Sequence, residues 1–282
     1  MTPIICDKSF VTRQAANQGN PVRLGFIGTG IITTAIVSGV CRNCGECHKI
    51  YISPRNKKRA ATLQEQFQNV TTCVSNQAVL DQSDFVFLAV MPQHAESIVE
   101  SLAFTPSHTL LSLLPGIPLK EIKRWNKSVK TVVKIVLTTF ITEYGGPIAF
   151  FPYYPHLEEM FLQLGMNVIG VDGEKQLEIM RVQTALTASL FVLFRNVVAW
   201  AEKNGLPEEI ESRFLSKYLT GIFSKMSDTA ANDIKALSEG MHSSGMNAKF
   251  LSLIGERGGF TPWIDALEKM LLSTPLPSDS AN

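Results

Sequence analysis

Two short stretches carry residue types whose spacing could do chemistry. The first is CRNCGECHKI, residues 41–50, which packs three of the chain's five cysteines and one of its five histidines into ten positions. Cys44, Cys47 and His48 spell C-x-x-C-H, the pattern at which c-type haem is attached. Cys41, Cys44 and Cys47 also recur every three residues, as metal-binding thiolates do. The second stretch is Gly28-Thr29-Gly30, which directly follows the apolar run VRLGFI and opens a helical pattern. There a backbone bare of side chains can approach a pyrophosphate, which the N-terminus of the helix attracts.

The cysteine cluster lacks the context that either metal chemistry needs. Haem attachment occurs in exported chains, and MTPIICDKSFVTRQAANQGN has no basic stretch followed by an apolar core. A structural zinc site wants four ligands, with a second pair elsewhere; here only Cys41, Cys44, Cys47 and His48 are at hand. These residues are expected to be reduced thiols around a turn at Gly45, with no metal, in a cytoplasmic protein.

The glycine loop is more telling. A dinucleotide fingerprint wants a small residue three positions after Gly30, and Thr33 stands there instead, so an ordinary tight turn is the competing reading. The end of the second strand narrows the choice. Domains that bind NAD place an acid there for the ribose 2′-hydroxyl. This chain has SPRNKKR, with no acid and with Arg55, Lys57, Lys58 and Arg59 within five residues. A 2′-phosphate would be matched by Arg55 with the hydroxyl of Ser53 and the amide of Asn56, which points to NADPH. Lys57 and Lys58 read as a solvated helix face.

The elements that must position these residues follow from periodicity. Apolar runs at 22–28, 49–53, 84–90, 108–114 and 131–137, with a short TCV at 72–74, read as strands; helical patterns at 54–67, 92–102 and 119–125 lie between them. Strands alternating with helices imply a parallel sheet covered on both faces. After residue 172 the pattern turns helical, with Pro207 and acids opening a long helix. The reading is therefore a residue 1–20 arm, an α/β domain over 21–172, an all-helical domain over 173–272, and a disordered tail over 273–282. The 282 residues are 45% apolar and carry a net charge of +1. That balance gives no basic surplus for nucleic acid or an acidic membrane. The stretch ALTASLFVLFRNVVAWA, residues 185–201, is interrupted by Arg195 and Asn196 and falls short of a span of roughly 20 residues. It is expected to be a helix covered between subunits or domains.

Several motifs together resemble the pyrroline-5-carboxylate reductase family. LGFIGTGIITTAI resembles its opening strand, loop and helix. DFVFLAVMPQ resembles its D-x-V-x-L-A-V-K-P-Q strand, with Met91 at the lysine. HTLLSLLPGIPLKEI is similar to its strand ending in an A-A-G-type turn. LEEMFLQLGMNVIGVDGEKQLEIMRVQTAL and GERGGFTPWIDALEKML resemble its E-E-x-F-x-x-L-G…V-T-A-L segment and its closing helix region. The likeness runs in order over residues 22–272. It implies a Rossmann-type parallel-sheet domain followed by an all-helical dimerisation domain, a homodimer or larger homo-oligomer, and hydride transfer from NADPH to a cyclic imine to give proline. The cofactor residues it implies are Gly28, Thr29, Gly30, Ile31, Ile32, Ser53, Arg55, Asn56, Ala89, Val90 and Pro92.

The departures fall where substrate would bind. The family's M-P-N-T-P turn is Val136-Leu137-Thr138-Thr139-Phe140 here, its S-G-S-G-P-A is Thr187-Ala188-Ser189-Leu190, and its S-P-G-G-x-T loop is HSSGMNAK, residues 242–249. An iminium is already electrophilic, so the protein mainly positions it and excludes water. Hydroxyl and amide donors suffice: Ser243, Ser244 and Asn247 as a group, with Thr139 and Thr187, and with Thr138, Ser189 and His242 as further candidates. Each alone also reads as a helix cap or a surface group. Three functions stay open: reduction of pyrroline-5-carboxylate, reduction of another imine or carbonyl, and NADP binding without catalysis.

Overall fold

The computed structural model describes residues 21–44, 47–138, 146–228, 234–240 and 245–274. The expected arm over 1–20, the tail from 275 on, and the candidates Thr139, His242, Ser243 and Ser244 lie outside the described residues. Contacts divide the chain into two compact units: Met1–Val182 with Leu271–Asn282, and Gln183–Met270.

In the first unit, strands and helices alternate as β1 (Arg23–Ile27), α1 (Ile31–Cys44), β2 (Lys49–Ile52), α2 (Lys57–Gln66), β3 (Val70–Thr72), α3 (Asn76–Asp81), β4 (Phe85–Leu88), α4 (Pro92–Glu100), β5 (Thr109–Ser112), α5 (Leu119–Trp125) and β6 (Thr131–Val136). They continue as β7 (Pro147–Phe151), α6 (Pro155–Gln163), β8 (Asn167–Gly170) and α7 (Glu174–Gln183). The sheet order is β3-β2-β1-β4-β5-β6-β7-β8. All neighbours are parallel except β6 and β7, which run antiparallel.

Strand residues alternate between two cores. Leu24 and Phe26 of β1 join a core with α1, α2 and α6 on one face of the sheet; Ile27 joins the other, with α3, α4 and α5. Phe26 stacks on Phe87 of the neighbouring β4 with ring centroids 4.6 Å apart. Local chemistry sets the helix starts. Asn56 Oδ1 accepts from the Arg59 N–H, Ser75 Oγ accepts from the Ala78 N–H, and Pro92 and Pro155 occupy first turns. The Asn56 cap corrects the helix expected from residue 54: Arg55 sits on the turn before α2. Strand β3 likewise lies two residues earlier than the expected 72–74, because Val70 pairs with Ile50 and is buried.

A buried charge network joins β6 to α7. Lys134, 3% exposed, meets Glu178 at 2.5 Å and Glu174 at 3.0 Å, and Glu178 also pairs with Arg181 at 2.6 Å. Two cations face two carboxylates, so no buried charge lacks a partner. This network, with Leu177 in the core beneath, holds α7 on the sheet. The change of pattern at residue 173 thus marks the end of the strands, while the compact units part ten residues later. Arg181 Nη2 also donates to Thr274 Oγ1 at 2.9 Å. Thr274 thus has a side-chain partner, while the rest of the expected tail, from residue 275, lies outside the described residues.

The second unit is helical, as α8 (Leu186–Lys203), α9 (Glu208–Asp228), α10 (Ile234–Gly240), α11 (Gly245–Gly255) and α12 (Thr261–Leu272). Pro207 precedes α9, and Glu208, Glu209 and Glu211 occupy its first turn, where acids complement the helix dipole. Among the described residues of this unit only Ala201 and Glu211 are buried. Helix α8 presents Phe191 at 65% and Trp200 at 66% exposure.

Candidate functional site

Strands β1, β2, β4, β5 and β6 all end on one edge of the sheet. The strand order reverses between β1 and β4, and open α/β sheets bind ligands in the crevice outside such a switch point. Gly28 and Ala89 stand on its two sides and touch. Gly28 has φ +104°, and a Cβ there would lie 2.3 Å from Ala89 O, so only glycine closes this contact. Above Gly30, by contrast, a Cβ would meet nothing within 4 Å.

The loop is built from hydroxyls. Ser53, 1% exposed at the end of β2, accepts the Gly28 N–H on Oγ at 2.9 Å. Thr29 Oγ1 donates to Ser53 O at 2.7 Å and lies 3.2 Å from Ser53 Oγ. Thr33 Oγ1 donates to Gly28 O at 2.6 Å, and Thr34 Oγ1 to Gly30 O at 2.9 Å. Thr33, the residue too large for the fingerprint, is thus fully buried and fastens the loop it was expected to disturb. The same bonds change the role read for Ser53. That hydroxyl, read as a partner for a 2′-phosphate, lies against Gly28 and Thr29. Sequence reading missed Thr33 and Thr34; their signal is a threonine pair one turn after a G-x-G.

The other expected cofactor residues are on the same edge. Ile31 is exposed, and Gly30, Ile32, Ala89, Val90 and Pro92 are half-buried. Ala89 N–H donates to Ile27 O, and Pro92 opens α4. Arg55 and Asn56 are exposed on the turn after β2, and Arg55 forms no ion pair among the described residues. Asn56 spends Oδ1 on its cap and keeps an amide N–H₂. A dinucleotide with a 2′-phosphate fits this edge: open backbone at Gly30, the N-terminus of α1 behind it, and a guanidinium without an acid beside it.

Of the candidate substrate residues, Thr187 is half-buried on the first turn of α8 and Asn247 exposed on the first turn of α11, both in the helical unit. Within that unit Leu186 and Ser189 of α8 face Pro262, Trp263 and Met270 of α12 across a mostly apolar groove of ≈ 270 Å³. Thr138, at the end of β6, has a buried Oγ1 with no hydrogen-bond partner among the described residues.

The cysteine cluster serves the fold around α1. Cys41 donates to Asn69 Oδ1 at 3.4 Å, Cys44 to Gln163 O at 3.1 Å and Cys47 to Cys44 O at 2.9 Å. Burial, then Cys47 and Cys41, push the Cys44 thiol up to about 11, which opposes a metal-binding thiolate. His48 is buried, and its Nδ1 accepts the Val22 N–H, so the ring is neutral and structural. Among the described residues no group of three or more His, Cys, Asp or Glu side chains is placed to share a metal ion.

Comparison with known proteins follows the same lines. Residues 23–116 match the family described as NADP oxidoreductase coenzyme F420-dependent. The pyrroline-5-carboxylate reductase of Pseudomonas aeruginosa is 24% identical over 200 residues, 68% of this chain and 73% of that protein. The crystal structure of 1-pyrroline-5-carboxylate reductase from Streptococcus pyogenes superposes with a TM-score of 0.77 at 18% identity, covering 91% of this chain and 99% of that one. That of Plasmodium falciparum pyrroline carboxylate reductase with NADP bound gives 0.75 at 16% identity, covering 91% and 98%. At such identities the likeness to the solved structures speaks for the fold: a mostly parallel Rossmann-type sheet followed by a helical region.

Proposed function

We propose that this chain, a pyrroline-5-carboxylate reductase-like family member, is an NADPH-dependent reductase that transfers hydride to a cyclic imine, giving proline when the substrate is pyrroline-5-carboxylate. The observation that carries the reading is the strand-end crevice, where Gly30 lies open and Arg55 stands exposed with no acid at the end of β2.

When bound, NADPH supplies the hydride. The chain's own part is to bind, orient and keep water out. Ser53, Thr29 and Thr33 hold the glycine loop rigid, so that backbone N–H groups at the start of α1 meet the pyrophosphate. Arg55 and the Asn56 amide hold the 2′-phosphate. Thr187 and Asn247, with Thr139, Ser243 and Ser244 beyond the described residues, position the substrate through hydroxyl and amide donors. An iminium asks for little more than this placement.

The active form is a homodimer or larger homo-oligomer. The support is α8: in the most apolar window of the run Glu174–Lys203 only 6% is buried. By length and composition that run could also cross a membrane. A second copy of the chain accounts for its exposed Phe191, Val192, Leu193 and Trp200 equally and suits the exposed apolar residues of α9, Phe214, Tyr218 and Phe223.

A second reading, reduction of a different imine or carbonyl, is favoured by the apolar groove beside Ser189 and by the replaced M-P-N-T-P turn at 136–140. NADPH consumption should be followed with a panel of cyclic imines, with and without a ring carboxylate. Turnover of pyrroline-5-carboxylate supports the first reading and turnover of uncharged imines alone the second. Tight NADPH binding with no turnover of any member would overturn both and leave a cofactor-binding protein.

A further inference from the structure

We propose that Cys44 and Cys47 form a dithiol that a low-molecular-weight disulfide converts to an intrachain disulfide, a modification site at the far end of the helix that begins at the glycine loop. Three observations carry this. Cys44 is the last residue of α1, and Cys47 is already folded back on it, its Sγ 2.9 Å from the Cys44 carbonyl oxygen. The Cys47 thiol thus lies against the peptide carbonyl of the residue it would join. Accessibility differs sharply: Cys47 is exposed, Cys44 half-buried, and Cys41 and Cys73 buried. An external disulfide thus meets Cys47 first. Finally, Cys44 is an uncomfortable place for a thiolate. Burial and its two neighbouring thiols push it up to about 11, and the carbonyl end of α1 also repels negative charge. A dithiol whose thiolate form is disfavoured gains more by oxidation than one whose thiolate is stabilised.

The Cys47 thiolate attacks one sulfur of the external disulfide; a mixed disulfide forms and one small thiolate leaves. Cys44 then loses its proton and attacks the Cys47 sulfur, and the second small thiolate leaves. Two cysteine thiols are oxidised, one external disulfide is reduced, and the departing thiolates take up protons from water. Cys44 must give up its hydrogen bond to Gln163 O, which ties α1 to the end of α6. Cys41 is a poor alternative partner, because it sits a full turn back inside the helix and donates to Asn69.

The sequence supplies a convenient assay, since cleavage after Arg42 and Lys49 releases both cysteines on one peptide, residues 43–49. The full-length reduced protein is treated with oxidised glutathione, its remaining thiols are alkylated, and the tryptic peptides are weighed. Peptide 43–49 should lose two hydrogens and escape alkylation, so that two of the chain's five thiols disappear. Cys44→Ser should stop at a glutathione adduct on Cys47, and Cys47→Ser should leave Cys44 an alkylatable thiol. Far-UV circular dichroism and NADPH binding report whether each variant is folded; if either is not, the parent peptide alone decides. Recovery of peptide 43–49 with both thiols alkylated, or oxidation of Cys44 in the Cys47→Ser protein at the parental rate, would overturn the proposal.

Discussion

Ser53 Oγ accepts the backbone N–H of Gly28 at 2.9 Å across two parallel strands, and so ties the end of β2 to the glycine loop after β1. The bond is nearly shielded from water and shared with Thr29. Ser53→Ala removes the acceptor and leaves a part-buried donor unpaired, at a cost of about 1–3 kcal/mol. Chemical denaturation should show this loss. If the hydroxyl serves the loop alone, NADPH and NADH affinities should weaken by the same factor. A loss confined to NADPH would return Ser53 to the 2′-phosphate.

Arg55 should behave in the opposite way. It stands exposed on the turn before α2, engaged in no ion pair among the described residues, so its replacement costs the fold little. Titration should show NADPH bound more tightly than NADH by the parent. Arg55→Asp should erase or reverse that preference while leaving the unfolding midpoint nearly unchanged. Equal parental affinities would defeat the assignment.

His48 gives a pH dependence. Burial lowers its pKa from the ordinary 6.5, and its Nδ1 accepts from Val22 N–H. The unfolded chain therefore takes up a proton on this ring at a higher pH than the folded chain does. Stability from this group is complete above about 6.5 and falls as the pH drops below it. His108, also lowered by burial and accepting from Thr105 N–H, acts in the same sense. Unfolding measured between neutral and mildly acid pH should show a slope, and His48→Gln should flatten part of it. A slope unchanged in that variant would assign the effect to other groups.

How far the sequence could be read depends on the element. Strands β1, β2, β4, β5 and β6 lie inside the sheet and are mostly apolar runs visible without a partner, although Lys134 interrupts β6. β7 and β8 were not legible. PIAFF begins with proline and pairs antiparallel outside the alternating pattern, and NVIG is a short edge strand with Ile169 exposed. At the site, the G-x-G and the acid-free β2 end could be read because residue type alone carries the chemistry. The contacts of Ser53 and Thr33 could not, because a hydroxyl's partner depends on packing, and both bond the loop's own backbone. The apolarity of α8 was legible as well. The cover expected for it is not supplied by the described residues of its own unit, where Phe191 and Trp200 face outward.

That outward face makes assembly testable. Light scattering of the parent should give a dimer or larger at every workable concentration, with an interface of over about 2,000 Å² as in obligate dimers. Phe191→Glu or Leu193→Glu places an unpaired charge there, which costs several kcal/mol, and should yield aggregated or unfolded protein. A folded, active monomer of the parent or of either variant would show that α8 needs no second copy.

The central claim is hydride delivery from NADPH to the carbon of a C=N bond. NADPH carrying deuterium at both C4 positions of the nicotinamide should be incubated with the protein and pyrroline-5-carboxylate, and the product examined by mass spectrometry and NMR. The account predicts proline with one deuterium on the former imine carbon, formed in step with NADP. Proline without the label, or no proline under conditions where NADPH is bound, would contradict it.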